Sequence, residues 1–241
     1  MKTRFKYFTY AIVLVAIVNS NSIFAQTSRT DPNDNQGWYG AKLKLDLPSG
    51  WETSLDYQAR FINDFNMYNG SYTTIGAAKK IAKHIELQGD FRLALVEKGT
   101  YYRGSFGFEA SNGFGDFDFG LRMLVQNQLQ DFDDEYKDNQ RDGYWRVKLE
   151  TNYAPTDGIQ LYVSTEPIMK FGGVRPIDNW RNIAGVKIKV AKRTKLNLFY
   201  MYRPDFAKAT YNRLFQVVGV NLDYTLKIKK SNPSGHYLIA K

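Results

Sequence analysis

Two interleaved sets of residues run through the stretch after Trp51. Trp51, Thr53, Leu55, Tyr57, Ala59 and Phe61 form one set, apolar and aromatic apart from a single threonine. Glu52, Ser54, Asp56, Gln58 and Arg60 form the other, polar and charged. A two-residue period is that of a β-strand with one face in an apolar medium and the other in water. The pattern recurs. After Ile85, the set Ile85, Leu87, Phe91, Leu93, Leu95 opposes Glu86, Gln88, Asp90, Arg92. After Asp116, Phe117, Phe119, Leu121, Met123 and Val125 oppose Asp118, Arg122, Gln126 and Gln128. Further on, Trp145, Val147 and Leu149 oppose Arg146, Lys148 and Glu150.

Extended over the chain, this reading predicts strands at Trp38–Leu47, Trp51–Asn63, Met67–Lys80, Ile85–Val96, Tyr101–Ser111 and Asp116–Leu129. The second half adds Tyr144–Tyr153, Ile159–Met169, Asn182–Val190, Lys195–Arg203 and Leu214–Lys227, with a short one at His236–Ala240. No helical period competes. Most segments are ~10–13 residues, longer than the ~5–6 of globular strands and close to the ~9–11 of a tilted membrane strand. Compact turns rich in Gly, Pro, Asn and Asp separate alternate pairs: Pro48-Ser-Gly50, Asn112-Gly-Phe-Gly115 and Ala154-Pro-Thr-Asp-Gly158. The other connections are longer in the second half. The fold class is therefore all-β: an antiparallel up-and-down transmembrane β-barrel of about 12 strands (10–14). A soluble barrel would turn its apolar face inward instead. Strand length and the aromatics near strand ends favour lipid outside. Those aromatics are Trp38, Trp51, Phe61, Tyr68, Tyr72, Trp145, Tyr153, Tyr200 and Tyr202, read as an interfacial girdle.

The N-terminus agrees. Lys2, Arg4 and Lys6 precede an apolar run from about Phe8 to Val18, and small residues end at Ala25. This is the pattern of a secretory signal peptide, Met1–Ala25, with an apolar run too short to span a bilayer. Residues 26–36 read as a flexible polar leader and 37–241 as the barrel. The chain has no Cys, which excludes disulfides, a thiol nucleophile and a lipidated N-terminal cysteine. Of the formal net charge of +9, three charges belong to the signal peptide, which leaves +6. For an exported chain that surplus points to outer-membrane lipids, including lipopolysaccharide phosphates, rather than nucleic acid.

Trp38 opening the first hairpin, Tyr57-Gln-Ala-Arg60 closing the second strand and Asn179-Trp-Arg-Asn182 leading a late one resemble a family of uncharacterised outer-membrane barrels, domain of unknown function 2490. The resemblance covers nearly the whole exported chain. It implies a cell outer membrane location in a Gram-negative envelope, handling by the barrel-insertion machinery, and no catalytic residues to carry over. One departure is that Tyr237, in His236-Tyr-Leu-Ile-Ala-Lys241, is not terminal, where many such barrels end on an aromatic residue.

The polar parity supplies the candidate site. Glu52, Asp56, Arg60, Glu86, Asp90, Arg92, Arg103, Glu109, Asp118, Arg122, Arg146, Lys148, Glu150 and Glu166 are expected to face the lumen. They would either tune a narrow pore or hold one another as a structural network. Because both signs interleave and no single-sign ring stands out, the network is favoured. The loop Asp131-Phe-Asp-Asp-Glu-Tyr-Lys-Asp138 lacks the glycine a calcium loop needs where Tyr136 stands, and reads as a solvated loop. Only His84 and His236 could serve as a general base, and neither lies beside a recognisable nucleophile, so no enzyme, metal or cofactor is expected. Basic turns at Lys79, Lys80, Lys83, at Lys192, Arg193, Lys195 and at Lys227, Lys229, Lys230 gather at one end. The function expected is a structural or passive-transport barrel; a binding or assembly partner acting through its loops, and a hydrolase using His84 or His236, are the alternatives.

Overall fold

The structure, a computed structural model, describes residues 33–97, 99–131, 139–172, 176–206, 213–230 and 237–239. The signal peptide, residues 132–138 of the acidic loop and His236 lie outside the described residues. Twelve strands follow in order: β1 (Asn33–Asp46), β2 (Trp51–Ile62), β3 (Met67–Ala82), β4 (Ile85–Val96), β5 (Gly99–Phe114) and β6 (Phe117–Asp131), then β7 (Gln140–Thr156), β8 (Ile159–Lys170), β9 (Ile177–Ala191), β10 (Thr194–Asp205), β11 (Arg213–Lys230) and β12 (Tyr237–Ile239).

Each strand from β1 to β11 pairs with the next, antiparallel. The ring closes where β1 pairs with β11 from Asn33↔Leu214 to Asp46↔Lys227, in parallel. The parallel seam is forced. In a ring of alternating strands, an odd number leaves the first and last pointing the same way. β12 pairs only with Ile228–Lys230 at the end of β11. Eleven strands therefore make the barrel, within the range expected. Closure gives every strand two partners, which lipid demands because an unpaired backbone N–H or C=O in hydrocarbon costs several kcal/mol, roughly.

Several strands extend past the apolar stretches that announced them. β5 runs on through Asn112 and Phe114, so that its turn shrinks to Gly115 and Asp116, with Gly115 at φ 59°. β1 begins at Asn33, so four residues assigned to the flexible leader belong to the strand. Their polarity reads as loop, yet above a membrane a ladder continues in water with polar side chains on both faces. The turn after β1 is a 3-10 turn at Pro48–Gly50 with Ser49 and Gly50 left-handed.

The outer face is apolar right round the ring. Leu55, Ile75, Phe91, Phe106, Leu149 and Val163 are each between 47% and 63% exposed. A continuous apolar surface of this kind suits hydrocarbon, not water. The apolar core of the molecule is small and lies inside the barrel: Trp38, Met201 and Val217, with Ile183 and Phe199 against them. Glycines make room for it. Phe199 lies across Gly219, and a Cβ there would come within 2.0 Å of its ring. Tyr162 lies across Gly185 in the same way.

Candidate functional site

Cross-strand register decides which way a side chain points, since paired residues share a face. Arg60 pairs with Trp38, Arg92 with Thr74 and with Arg103, Glu109 with Arg122, Arg122 with Lys148, and Glu166 with Arg181. The register puts Glu52, Asp56, Glu86, Asp90, Asp118, Arg146 and Glu150 on that same inner face. The lumen is thus the site to build.

On the β6–β9 side it holds a compact ion network centred on Glu166. The Glu166 carboxylate is buried and accepts from Arg146 Nε at 3.2 Å and from Arg146 Nη2 at 2.9 Å on each oxygen. Arg122 Nη2 donates to it at 2.8 Å, and Arg181 Nη1 stands 3.7 Å away. One carboxylate is shared by three guanidinium groups. Arg146 also donates to Gln126 at 3.1 Å. Lys148, facing Arg122 across the ladder, is held 2.8 Å from Glu150. Burying such a network is tolerable because each charge has an opposite partner, although the Nε atoms of Arg122 and Arg181 are buried without an acceptor.

Toward β2–β5 the balance changes. Arg92 faces Arg103 across the β4–β5 ladder, a like-charge pair that is unfavourable by itself. Arg103 reaches Asp90 at 3.1 Å; among the described residues Arg92 donates only to the Thr74 hydroxyl, at 2.8 Å. Arg60 is clamped between aromatic rings, 3.6 Å from the Trp38 centroid and 3.7 Å from that of Tyr72, and donates to Gln58 at 2.8 Å. Arg92 lies 5.9 Å from the same Tyr72 ring. Among the described residues no carboxylate ion-pairs with Arg60 or Arg92.

These arginines separate two chambers. The one toward the short turns has a volume of about 240 Å³ and carries both signs, Lys42, Arg122 and Arg146 with Glu52, Asp56, Glu86 and Asp90. The one toward the longer connections has about 430 Å³ and carries Arg60, Asn69, Tyr72, Tyr101, Gln128 and, at its rim, Glu97. Arg92, Arg103 and Arg181 line both. The expectation of an interleaved network without a single-sign group is corrected here. The charges toward the turns stay mixed in sign, but wrapping the strands into a ring brings arginines from β2, β4, β5 and β9 together around the larger chamber.

Two expected girdle residues are also corrected. Trp38 is 6% exposed and faces the lumen, its indole N–H donating to Gln36 at 3.2 Å. Tyr72 pairs with Gln58 and faces inward too. Both were assigned from proximity to strand ends; their parity, shared with Gln36 and Lys42 or with Thr74, is the inner one. Trp51, Tyr68, Trp145, Tyr200 and Tyr202 are exposed on the outer face. Phe61 packs edge-on against Tyr68, and Tyr153 stacks on Phe117. Lumen residues missing from the expected set include Arg181, Arg203 and Asp205. The same parity reaches them: Trp180 and Asn182 point out, so Arg181 points in.

Among the described basic residues at the turn end, Lys80, Lys83, Lys189 and Lys192 are exposed, while Lys79 donates to the Ser49 carbonyl and lies 5.1 Å from the Trp51 ring. His84, exposed in the β3–β4 turn, has Nδ1 2.9 Å from the Ser111 carbonyl oxygen. Among the described residues no three carboxylates or histidines are grouped as metal ligands.

Residues 35–214 match the family described as "Protein of unknown function (DUF2490)". No curated protein matches the chain. Among solved structures, the NanC porin in a rhombohedral crystal form is similar at 16% identity, over 70% of this chain and 86% of that one, with a TM-score of 0.49.

Proposed function

Since the chain belongs to the DUF2490 family, whose description assigns no activity, we propose a function from its own geometry: an outer-membrane barrel that gives small hydrophilic solutes a narrow passive path. One observation carries this reading. The interior is not filled by apolar side chains but holds two polar chambers in line, of about 240 and 430 Å³, meeting at Arg92, Arg103 and Arg181. A barrel built only to sit in lipid gains nothing from keeping Arg60 and Arg92 in its bore with no carboxylate ion-paired to them among the described residues. The exposed apolar outer face and the sequence pattern of an exported chain support the outer membrane as its location. The exposed lysines at the turn end suit a head-group layer, where lipopolysaccharide phosphates are the anions within reach. The reading is of a passive barrel and assigns no catalytic residue.

Single-channel recording in planar bilayers tests the pore. Folded protein is expected to give discrete steps well below those of a wide porin, because side chains of Arg92, Arg103 and Arg181 narrow the bore where the chambers meet. Absence of steps from protein shown to be folded by its heat-dependent gel mobility would overturn it.

A further inference from the structure

The two chambers differ in charge balance. In the chamber toward the turns, the cations Lys42, Arg92, Arg103, Arg122, Arg146 and Arg181 have four carboxylates beside them, Glu52, Asp56, Glu86 and Asp90. Among the described residues, the larger chamber has Arg60, Arg92, Arg103 and Arg181 against one carboxylate, Glu97 at its rim. Within it, the Arg92–Arg103 pair faces itself across the ladder, and Arg60 and Arg92 share one aromatic ring. Clustered guanidinium groups repel one another in a partly buried bore, and among the described arginines Asp90 ion-pairs with Arg103 alone. The Nε atoms of Arg103 and Arg181 are buried without a protein acceptor. Guanidinium donors pre-set in this way match oxyanions, which accept paired N–H bonds from their planar fork. Arg60 is held in place by the Trp38 and Tyr72 rings packed against its guanidinium; fixing it beforehand lowers the cost of ordering it around a ligand. Asn69, Tyr101 and Gln128 add neutral polar groups around the same space.

We infer that the larger chamber is a binding site for a small oxyanion, carboxylate or phosphate, held chiefly by Arg60, Arg92 and Arg103. This deepens the pore reading, on which its role as a station for a passing solute rests. The chemistry shared by the two anion types is an oxygen pair carrying negative charge.

Calorimetric titration of folded wild-type protein in zwitterionic micelles at low salt tests it, with inorganic phosphate and succinate as the two anion arms and glucose as the neutral probe. Saturable binding of at least one anion, and none of glucose, is expected; the arm that binds more tightly identifies the anion type. Arg92→Gln is expected to weaken binding about tenfold, the loss of one charge-assisted contact. Arg92→Lys keeps the charge and protects the fold, and is expected to weaken binding by a few fold through loss of the fork. If neither anion binds the wild type saturably, or if the Arg92 variants bind as tightly as the wild type, the site is refuted. Because binding is measured without conductance, a silent bilayer leaves this result standing, and failed binding leaves the pore reading standing.

Discussion

The two walls of the lumen fill the same space by opposite means. On the β6–β9 side, three arginines converge on Glu166. On the side of β1, β10 and β11, Trp38, Met201 and Val217 pack together with 6%, 1% and 0% exposure. The first wall is directional and rests on one acceptor. The second is non-directional and spread over many contacts. The difference bears on function. An apolar wall presents nothing to a polar solute and serves as rigid backing, and Trp38 turns that backing into one face of the Arg60 clamp. The charged wall leaves guanidinium edges toward the bore.

The contrast breaks most readily at Glu166. Replacing it with glutamine leaves Arg146, Arg122 and Arg181 without their shared carboxylate, and Arg146 is only 7% exposed. Removing one partner of a buried ion pair costs ~3–5 kcal/mol. Urea unfolding of the barrel in lipid vesicles, followed by tryptophan fluorescence, is expected to show Glu166→Gln destabilised by about that amount. A change below ~1 kcal/mol would mean that the network is screened as a surface pair is, and the two walls would no longer differ in kind.

How much of this was legible in the sequence follows from which physics each feature obeys. β4 was read at Ile85–Val96 and is observed at those residues, because both of its faces alternate cleanly. Over β10 and β11 the inner parity is apolar, at Phe199, Met201 and Val217, so alternation fades there and the apolar wall could not be foreseen. Trp38 and Tyr72 were misplaced because proximity to a strand end was allowed to outweigh parity. The arginine level was hidden for another reason. Arg60, Arg92, Arg103 and Arg181 come from four strands, and their meeting depends on cross-strand register, which no single segment encodes.

The apolar wall yields less to a single change. Met201→Ala at a fully buried site costs ~2–5 kcal/mol in a closed core. Here the vacated space adjoins a polar bore, and the neighbouring Phe199 and Ile183 are only partly buried. The cost is expected at the low end, about 2 kcal/mol, in the same unfolding assay. Anion binding should change far less than stability, since Met201 lines neither chamber and reaches Arg60 only through Trp38. A loss approaching that of Glu166→Gln would show that the apolar wall, not the network, dominates the stability of the bore.

The smallest effect belongs to Lys44, at the mouth of the bore on the turn end. It pairs with Glu52 and stands 3.8 Å from Asp46, with its side chain 36% exposed. Exposed pairs of this type contribute ~0–1 kcal/mol. Lys44→Gln does more than remove one attraction, because Asp46 faces Glu52 directly across the β1–β2 ladder and the two carboxylates would then repel. A loss near the upper limit, ~1 kcal/mol, is expected at low salt. Salt separates it from the Glu166 case. At 1 M ionic strength the Debye length falls to ~3 Å, which screens two carboxylates in water but reaches a buried network far less. The Lys44→Gln deficit should therefore vanish in high salt while the Glu166→Gln deficit remains. If both deficits vanish together, the bore around Glu166 is as wet as its mouth, and the charged wall is a lining rather than a core.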